Sequence, residues 1–315
     1  MAITDDDVIW CYRSLLGRAP ESQEAVQSIA GEANDFRSLV RLFLRSPEYQ
    51  EKTSRALLPL SQGEMDVDVS ASAAQLLRLQ ERIRTAWTHL GKSRPHHSVL
   101  TADEFLAESI NEQSIELFYQ SGGVEAATID AMLKRHGFSD AKARTCVEYG
   151  CGLGRVTFPL AQRFKMVHAY DISSNHIALA QQRALELGIV NVQFHLSAVD
   201  VGYQKLEPCD FFLSCIVFQH NPPPIIRAMI SSSLRSLRPG GMAIFQVPTF
   251  AVGYTFRLQD YLATPQHFDM EMHCIPQQSV FALIADEGCR VLEVREDNRV
   301  GNHGDWISNT FIVRR

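Results

Sequence analysis

Glu148-Tyr-Gly-Cys-Gly-Leu-Gly154 places an acid two residues before a G-x-G-x-G turn, where the apolar run Thr145–Tyr149 gives way to a helical pattern. A turn without side chains lets a ligand lie against backbone amides, and the helix N-terminus that follows favours a negative group. Asp171 closes the next apolar run, Val167-His-Ala-Tyr-Asp171, 21 residues after Gly150. An acid at that position accepts both hydroxyls of a ribose, or caps the helix beginning near Ser173. Dinucleotide folds use G-x-G-x-x-G. The tighter spacing here, with its preceding acid, suits a ligand carrying an ammonium and a sulfonium charge better than a pyrophosphate. The glycine turn alone leaves both cofactor classes standing.

These residues need strands and helices to hold them. From about residue 143 the pattern alternates strand and helix, the mark of a doubly wound parallel sheet. It predicts strands at 144–149, 166–171, 191–196, 209–215, 241–247, 290–297 and 307–314, and helices near 155–164, 174–187, 223–237 and 277–287. The last two strands follow the last helix with a short connection, as an antiparallel edge hairpin would. Pro159 falls early in its helix, where a missing N–H is tolerated. Upstream, helical stretches are expected at 72–90, 102–120 and 124–136, a lead-in or cap over 72–142. Residues 59–71 lack periodicity and read as a linker. Residues 1–58 read as a three-helix module: one helix capped by Thr4 and stopped by Gly17 and Pro20, one over about 21–30, one from Asp35.

Four motifs in order, the glycine turn, Asp171, Asp210-Phe-Phe-Leu-Ser-Cys-Ile-Val-Phe-Gln-His-Asn-Pro222 and Leu237-Arg-Pro-Gly-Gly-Met-Ala-Ile-Phe245, make residues 143–315 resemble the class I S-adenosylmethionine-dependent methyltransferases. The resemblance implies an α/β fold with a doubly wound, seven-stranded, mostly parallel sheet, preceded here by a small all-α domain. It implies S-adenosyl-L-methionine as cofactor. Glu148, Gly150, Gly152 and Gly154 would hold the methionine moiety, with Cys151 and Arg155 beside them. Asp171 would hold the ribose and Ile172 pack on the adenine. Ser197, Ala198 and Val199 would border the adenine, and Cys215 with Ile216 would line the sulfonium. This chain has no acid or amide right after the third strand, so Asp200, after a one-residue shift, or a backbone carbonyl would read the adenine amino group.

Tyr12-Arg-Ser-Leu-Leu-Gly-Arg-Ala-Pro20 and Phe43-Leu-Arg-Ser-Pro-Glu-Tyr49 resemble a small helical domain of bacterial chains, attached to methyltransferases and glycosyltransferases of surface polysaccharides. That points to O-methylation of a saccharide or another small molecule. Methyl transfer to a hydroxyl needs a general base, and His220, in the loop beyond the fourth strand, is the candidate; bonding to nearby backbone is its other role. Residues 249–275 form an insertion after the fifth strand. Its Tyr254, Arg257, His267 and His273 are candidates for a substrate wall, or the insertion packs on the helical lead-in. Asn302-His-Gly-Asp-Trp306 lines the same rim or turns the last hairpin. Asp210 begins a strand, at the wrong end of the sheet for a metal shared with Asp200 and His220, so no metal is expected. Two alternatives stay open: a cofactor-binding, partner-docking protein without catalysis, and a nicotinamide-dependent oxidoreductase.

Composition bounds the rest. Of 315 residues, 45% are hydrophobic and 21% charged, ordinary for a globular chain. A formal charge of −6 argues against a nucleic-acid surface. The first residues are acidic, unlike a secretory signal, and no apolar run approaches the roughly 18 residues of a membrane span. The seven cysteines are scattered without a C-x-x-C pair, which suits a reducing cytoplasm better than disulfides or zinc. The oligomeric state and any partner of residues 1–58 stay open.

Overall fold

A computed structural model describes residues 3–49, 63–197, 205–301 and 305–315. The chain divides into two units, Met1–Gln62 and Gly63–Arg315.

The first unit contains helices α1 (Asp5–Leu15), α2 (Gln23–Glu32) and α3 (Phe36–Arg45). Each begins where a side chain satisfies a backbone N–H that the helix leaves without a partner. Thr4 and Asp7 form a reciprocal capping box, Ser22 caps α2, and Asp35 pairs with Ser38. Val8, Cys11, Tyr12, Val26, Leu39 and Phe43 close the core, with the rings of Tyr12 and Phe43 edge to face at 5.0 Å. The Arg18 guanidinium donates to both Glu48 oxygens at 2.7 and 2.6 Å and lies over the Tyr12 ring. It thereby ties together the two segments that carry the resemblance.

In the second unit a seven-stranded sheet has the order β4-β3-β2-β5-β6-β9-β8. Its strands are β2 (Thr145–Tyr149), β3 (Met166–Asp171), β4 (Val192–Leu196), β5 (Cys209–Ser214), β6 (Leu237–Ala251), β8 (Arg290–Asp297) and β9 (Trp306–Arg314). Pairing is parallel from β4 through β6, and β9 runs antiparallel to both β6 and β8. Both faces are covered. Val147, Phe212, Ala243, Phe245, Phe311 and Val313 pack on α8 (Pro223–Ser236) and α10 (Gln277–Asp286). Their neighbours along the strands, Cys146, Phe211, Leu213, Met242, Ile244 and Ile312, pack on α5 (Glu112–Arg135) and α6 (Thr157–Ala161). Side chains alternate faces along a strand, so two buried faces make the strands read as continuous apolar runs. Helix α7 (Ser174–Glu186) follows β3. Among the described residues no helix is long and apolar enough to cross a membrane.

Several expectations need correction. The stretches 102–120 and 124–136 are one helix, α5, capped by Asn111 and preceded by a single 3-10 turn at Asp103–Phe105. Gly122-Gly123 reads as a break, yet both lie inside the helix, and Gly122 is required there since a Cβ would stand 1.8 Å from the Arg155 carbonyl oxygen. Helix 155–164 shrinks to Thr157–Ala161, with Pro159 among its first residues, whose N–H groups have no intrahelical acceptor. Strand β6 runs through the Pro-Gly-Gly turn and on to Ala251, four residues past the expected end at 247, because β9 continues to pair with it out to Trp306. Within the stretch read as a linker, β1 (Asp66–Val67) pairs in parallel with β7 (Thr255–Phe256) of the insertion. The insertion also holds α9 (Leu258–Ala263). It rests on α4 (Ala73–Ser93), whose Arg82 donates to the carbonyls of Tyr261, Thr264 and Pro265.

Candidate functional site

At the carboxyl ends of β2, β3 and β5 the second unit encloses a cavity of about 500 Å³. This is where open α/β sheets take ligands, outside the strand ends and beside the reversal of strand order. Strand β2 delivers Glu148, and the turn that follows delivers Gly150, Cys151, Gly152 and Arg155 to its wall. Gly150, Gly152 and Gly154 have φ of +81°, +51° and +83°, the left-handed region that side chains disfavour. The Tyr170 carbonyl of β3 accepts from the Gly150 and Cys151 amides at 2.8 and 2.9 Å, which holds the turn against the next strand.

Asp171 ends β3 and lines the cavity. One of its oxygens accepts from the Gly152 amide and the other from the Ser173 amide, each at 2.8 Å. A carboxylate has about four acceptor positions, so two remain for a ligand. The residue is thus a link between loop and helix as well as a cavity acid. Behind it His176 lies buried, with Nε2 3.0 Å from the Ser98 hydroxyl and Nδ1 3.6 Å from Asp171. Ser98 donates to the Pro95 carbonyl, so it accepts from His176 Nε2.

Glu148 is almost wholly buried, and its Oε2 accepts from the Thr157 hydroxyl at 2.5 Å. Burial pushes its carboxyl up to about 8, against the Thr157 hydrogen bond and the positive charge of Arg155. Arg155 donates to Ser121 at 3.2 Å, but its buried Nε has no partner among the described residues, and burial depresses its own pKa. A buried guanidinium N–H left open is costly unless an anion meets it. The wall therefore presents one acid able to face a cation and one guanidinium able to face an anion.

Also lining the cavity are Cys215 and Ile216 beyond β5, then His220 in the 3-10 turn Phe218–His220. Ile216 takes φ +58°, a rare conformation for a β-branched residue. His220 Nδ1 donates to the Glu271 carbonyl at 2.9 Å, and the ring meets that of Trp87 at 5.4 Å. Burial pushes the imidazole down to about 4, so it is neutral near pH 7 with Nε2 as an acceptor. Trp87, Met229, Met270, Met272 and Trp306 make the apolar part of the lining, and Glu125 pairs with Arg299 at 2.6 Å on another side.

Of the candidates named from sequence, Glu148, Gly150, Cys151, Gly152, Arg155, Asp171, Ile172, Cys215, Ile216 and His220 all line this cavity. Gly154 does not; a Cβ there would meet the Phe158 ring at 2.5 Å, so it serves packing. Ser197 is buried off the cavity, its amide donating to the Asp171 carbonyl at 2.7 Å. Ala198, Val199, Asp200, Asn302, His303 and Gly304 lie outside the described residues. The four insertion candidates turn elsewhere. Tyr254 bonds His273 at 2.8 Å, and buried His273 also reaches Glu271. Arg257 pairs with Asp66 and Asp68, and His267 lines a small adjoining cleft with Trp87 and His220. Met270 and Met272 are what the insertion contributes instead. No motif announces them, nor Trp87, Glu125 or Arg299. Asp210 is spent on the Thr145 amide and Arg238.

Residues 146–241 match the family described as "Methyltransferase domain". A ubiquinone biosynthesis O-methyltransferase of Paracidovorax citrulli is 25% identical over 111 residues, 35% of this chain and 45% of that protein. A tRNA (guanine-N(7)-)-methyltransferase of Chloroflexus aggregans is 29% identical over 127 residues, 36% of this chain and 55% of that one. The chain thus spans about half the length of the curated relatives it matches, and their names give unlike acceptors. Among solved structures, magnesium protoporphyrin IX methyltransferase from Synechocystis with bound SAH superposes with a TM-score of 0.52 at 19% identity, covering 73% of this chain and 99% of that one. Residues 146–241 are thus similar to a methyltransferase domain, and the fold is that of the class I S-adenosylmethionine-dependent methyltransferases.

Proposed function

We propose that this protein transfers the methyl group of S-adenosylmethionine to a hydroxyl of a small molecule. One observation carries the reading: a single cavity is lined by Glu148, Arg155 and Asp171 and also by a neutral histidine, His220. The donor set fits the cofactor. Glu148 and the unpartnered Arg155 Nε suit the ammonium and carboxylate of an amino acid, Asp171 suits a ribose diol, and Ile172 offers an apolar face to a base. When bound, the cofactor supplies an electrophilic methyl on a sulfonium and leaves as a neutral thioether.

The chain's own work is to orient and to move one proton. Holding donor and acceptor in line supplies much of the rate in such displacements. His220 takes the hydroxyl proton at Nε2, while its Nδ1–H stays on the Glu271 carbonyl, which steadies the charged ring. Trp87, Met229, Met270, Met272 and Trp306 favour an acceptor with an apolar face. A saccharide of a bacterial surface polysaccharide is the narrower reading; the residues of the N-terminal unit support it, and a pyranose also has an apolar face. The free cysteines support a cytoplasmic setting.

Incubation with labelled S-adenosylmethionine and a panel of glycans, phenols and lipophilic alcohols tests this. Transfer to a hydroxyl, lost in His220→Asn, is expected. Cofactor binding with no transfer to any hydroxyl would favour a non-catalytic, partner-docking role.

A further inference from the structure

We propose that Gln219 is a positioning residue for His220, and that Gln246 orients it through hydrogen bonds that begin at the Ile216 backbone. This rests on His220 being the base. Gln246, on β6, is fully buried, as is Ser308 on β9, and Gln219 is 3% exposed. Buried side-chain amides with both ends engaged are uncommon investments in a core and impose one orientation.

Donor and acceptor roles follow without ambiguity from one end. The Ile216 backbone N–H can only donate, and it meets Gln246 Oε1 at 2.9 Å. The Gln246 amide nitrogen therefore faces inward, donating to Gln219 Oε1 at 2.9 Å and to the Ser308 hydroxyl at 2.7 Å. Gln219 must then present its own amide nitrogen to His220 Nε2, at 3.3 Å. An N–H donor there requires Nε2 to be unprotonated. The other end agrees: the Glu271 carbonyl can only accept, so the proton sits on Nδ1. Two independent anchors thus assign one tautomer, the one with its lone pair available for a hydroxyl proton.

The same chain joins the two halves of the site. Ile216 lines the cavity in a left-handed conformation, which persists only where surroundings hold it. Its amide is held by Gln246, the residue that also sets Gln219. The Gln219 carbonyl in turn accepts from the His273 amide at 2.7 Å, fixing the loop beneath the insertion. In the unliganded protein the Gln219 amide occupies Nε2, and an incoming hydroxyl replaces it there.

The test is Gln219→Glu beside the near-isosteric Gln219→Met. A carboxylate still accepts from Gln246, but its second oxygen accepts from the ring and favours a proton on Nε2. Other titratable or charged groups around the ring are Arg82 of α4 and His267, Asp269, Glu271, His273 and Tyr261 of the insertion; all are unchanged in both variants. Nitrogen-15 imidazole NMR reads the tautomer without turnover. The wild type should show Nδ1–H at neutral pH. Gln219→Glu should raise the His220 titration midpoint by about 1 to 3 units, and the acid limb of kcat with it, at unchanged donor KM. Gln219→Met should lower kcat by about tenfold, part of what a general base contributes, without raising the midpoint. An Nε2–H wild type, or an unmoved midpoint in Gln219→Glu, overturns the proposal. A midpoint that moves while transfer does not depend on His220 would preserve the hydrogen-bond chain and refute the base.

Discussion

The two walls of the cavity are built by different means. The wall of Glu148, Gly150, Gly152, Arg155 and Asp171 comes from two neighbouring strands and the turns leaving them, and backbone hydrogen bonds between β2 and β3 hold it. The other part of the lining gathers Trp87 from α4, His220 from the loop after β5, Met270 and Met272 from the insertion, and Trp306 from β9. On the proposed function the first group would take the donor and the second the acceptor. Damage to the first should show in donor affinity, and damage to the second in turnover or acceptor recognition.

The sharpest separation is expected from His220→Asn. It should lower kcat about 100-fold or more, the low end for a general base, while the dissociation constant for S-adenosylhomocysteine, read by calorimetry, stays within about twofold. Asp171→Asn should do the reverse. Loss of charge-assisted hydrogen bonds to the ribose should weaken S-adenosylhomocysteine binding by about 10- to 100-fold, and a change confined to kcat would break the distinction between the walls. Glu148 gives a pH signature. Its carboxyl is raised to about 8 in the unliganded protein, and a ligand ammonium favours the ionised form. Binding therefore releases a proton below that pH, so S-adenosylhomocysteine affinity should rise from pH 6 to 8, by at most about tenfold per unit, then level off. Gln in place of Glu148 should flatten the profile; an unaltered slope would remove Glu148 from the donor wall. The smallest effect is assigned to Met272→Ala, a few-fold rise in acceptor KM with unchanged donor affinity, since one flexible apolar side chain is worth about 1 kcal/mol.

Much of the sheet could be read in advance because both of its faces are buried. The strand at 166–171 has the bounds that its apolar run suggested. Helix α5 could not, since a Gly-Gly pair reads as a stop, and only the approach of the Arg155 backbone explains it. On the donor wall, a strand end and a glycine turn place side chains by local geometry, so Glu148, Asp171 and their neighbours were legible as a group. The insertion was not. Three of its four candidates found partners within the chain: Arg257 met Asp66, and Tyr254 met His273.

By itself the sequence determined the alternation of strands and helices, the acid-glycine turn and the strand-ending Asp171 21 residues beyond Gly150, because each is encoded by neighbours in the chain. Tertiary structure alone decided which side chains complete the acceptor wall. Glu125 meets Arg299 across 174 positions, and the Ile216 amide reaches Gln246 across 30. Such partners carry no mutual spacing rule. Only the folded sheet brings them within hydrogen-bond reach, and with them the tautomer of His220.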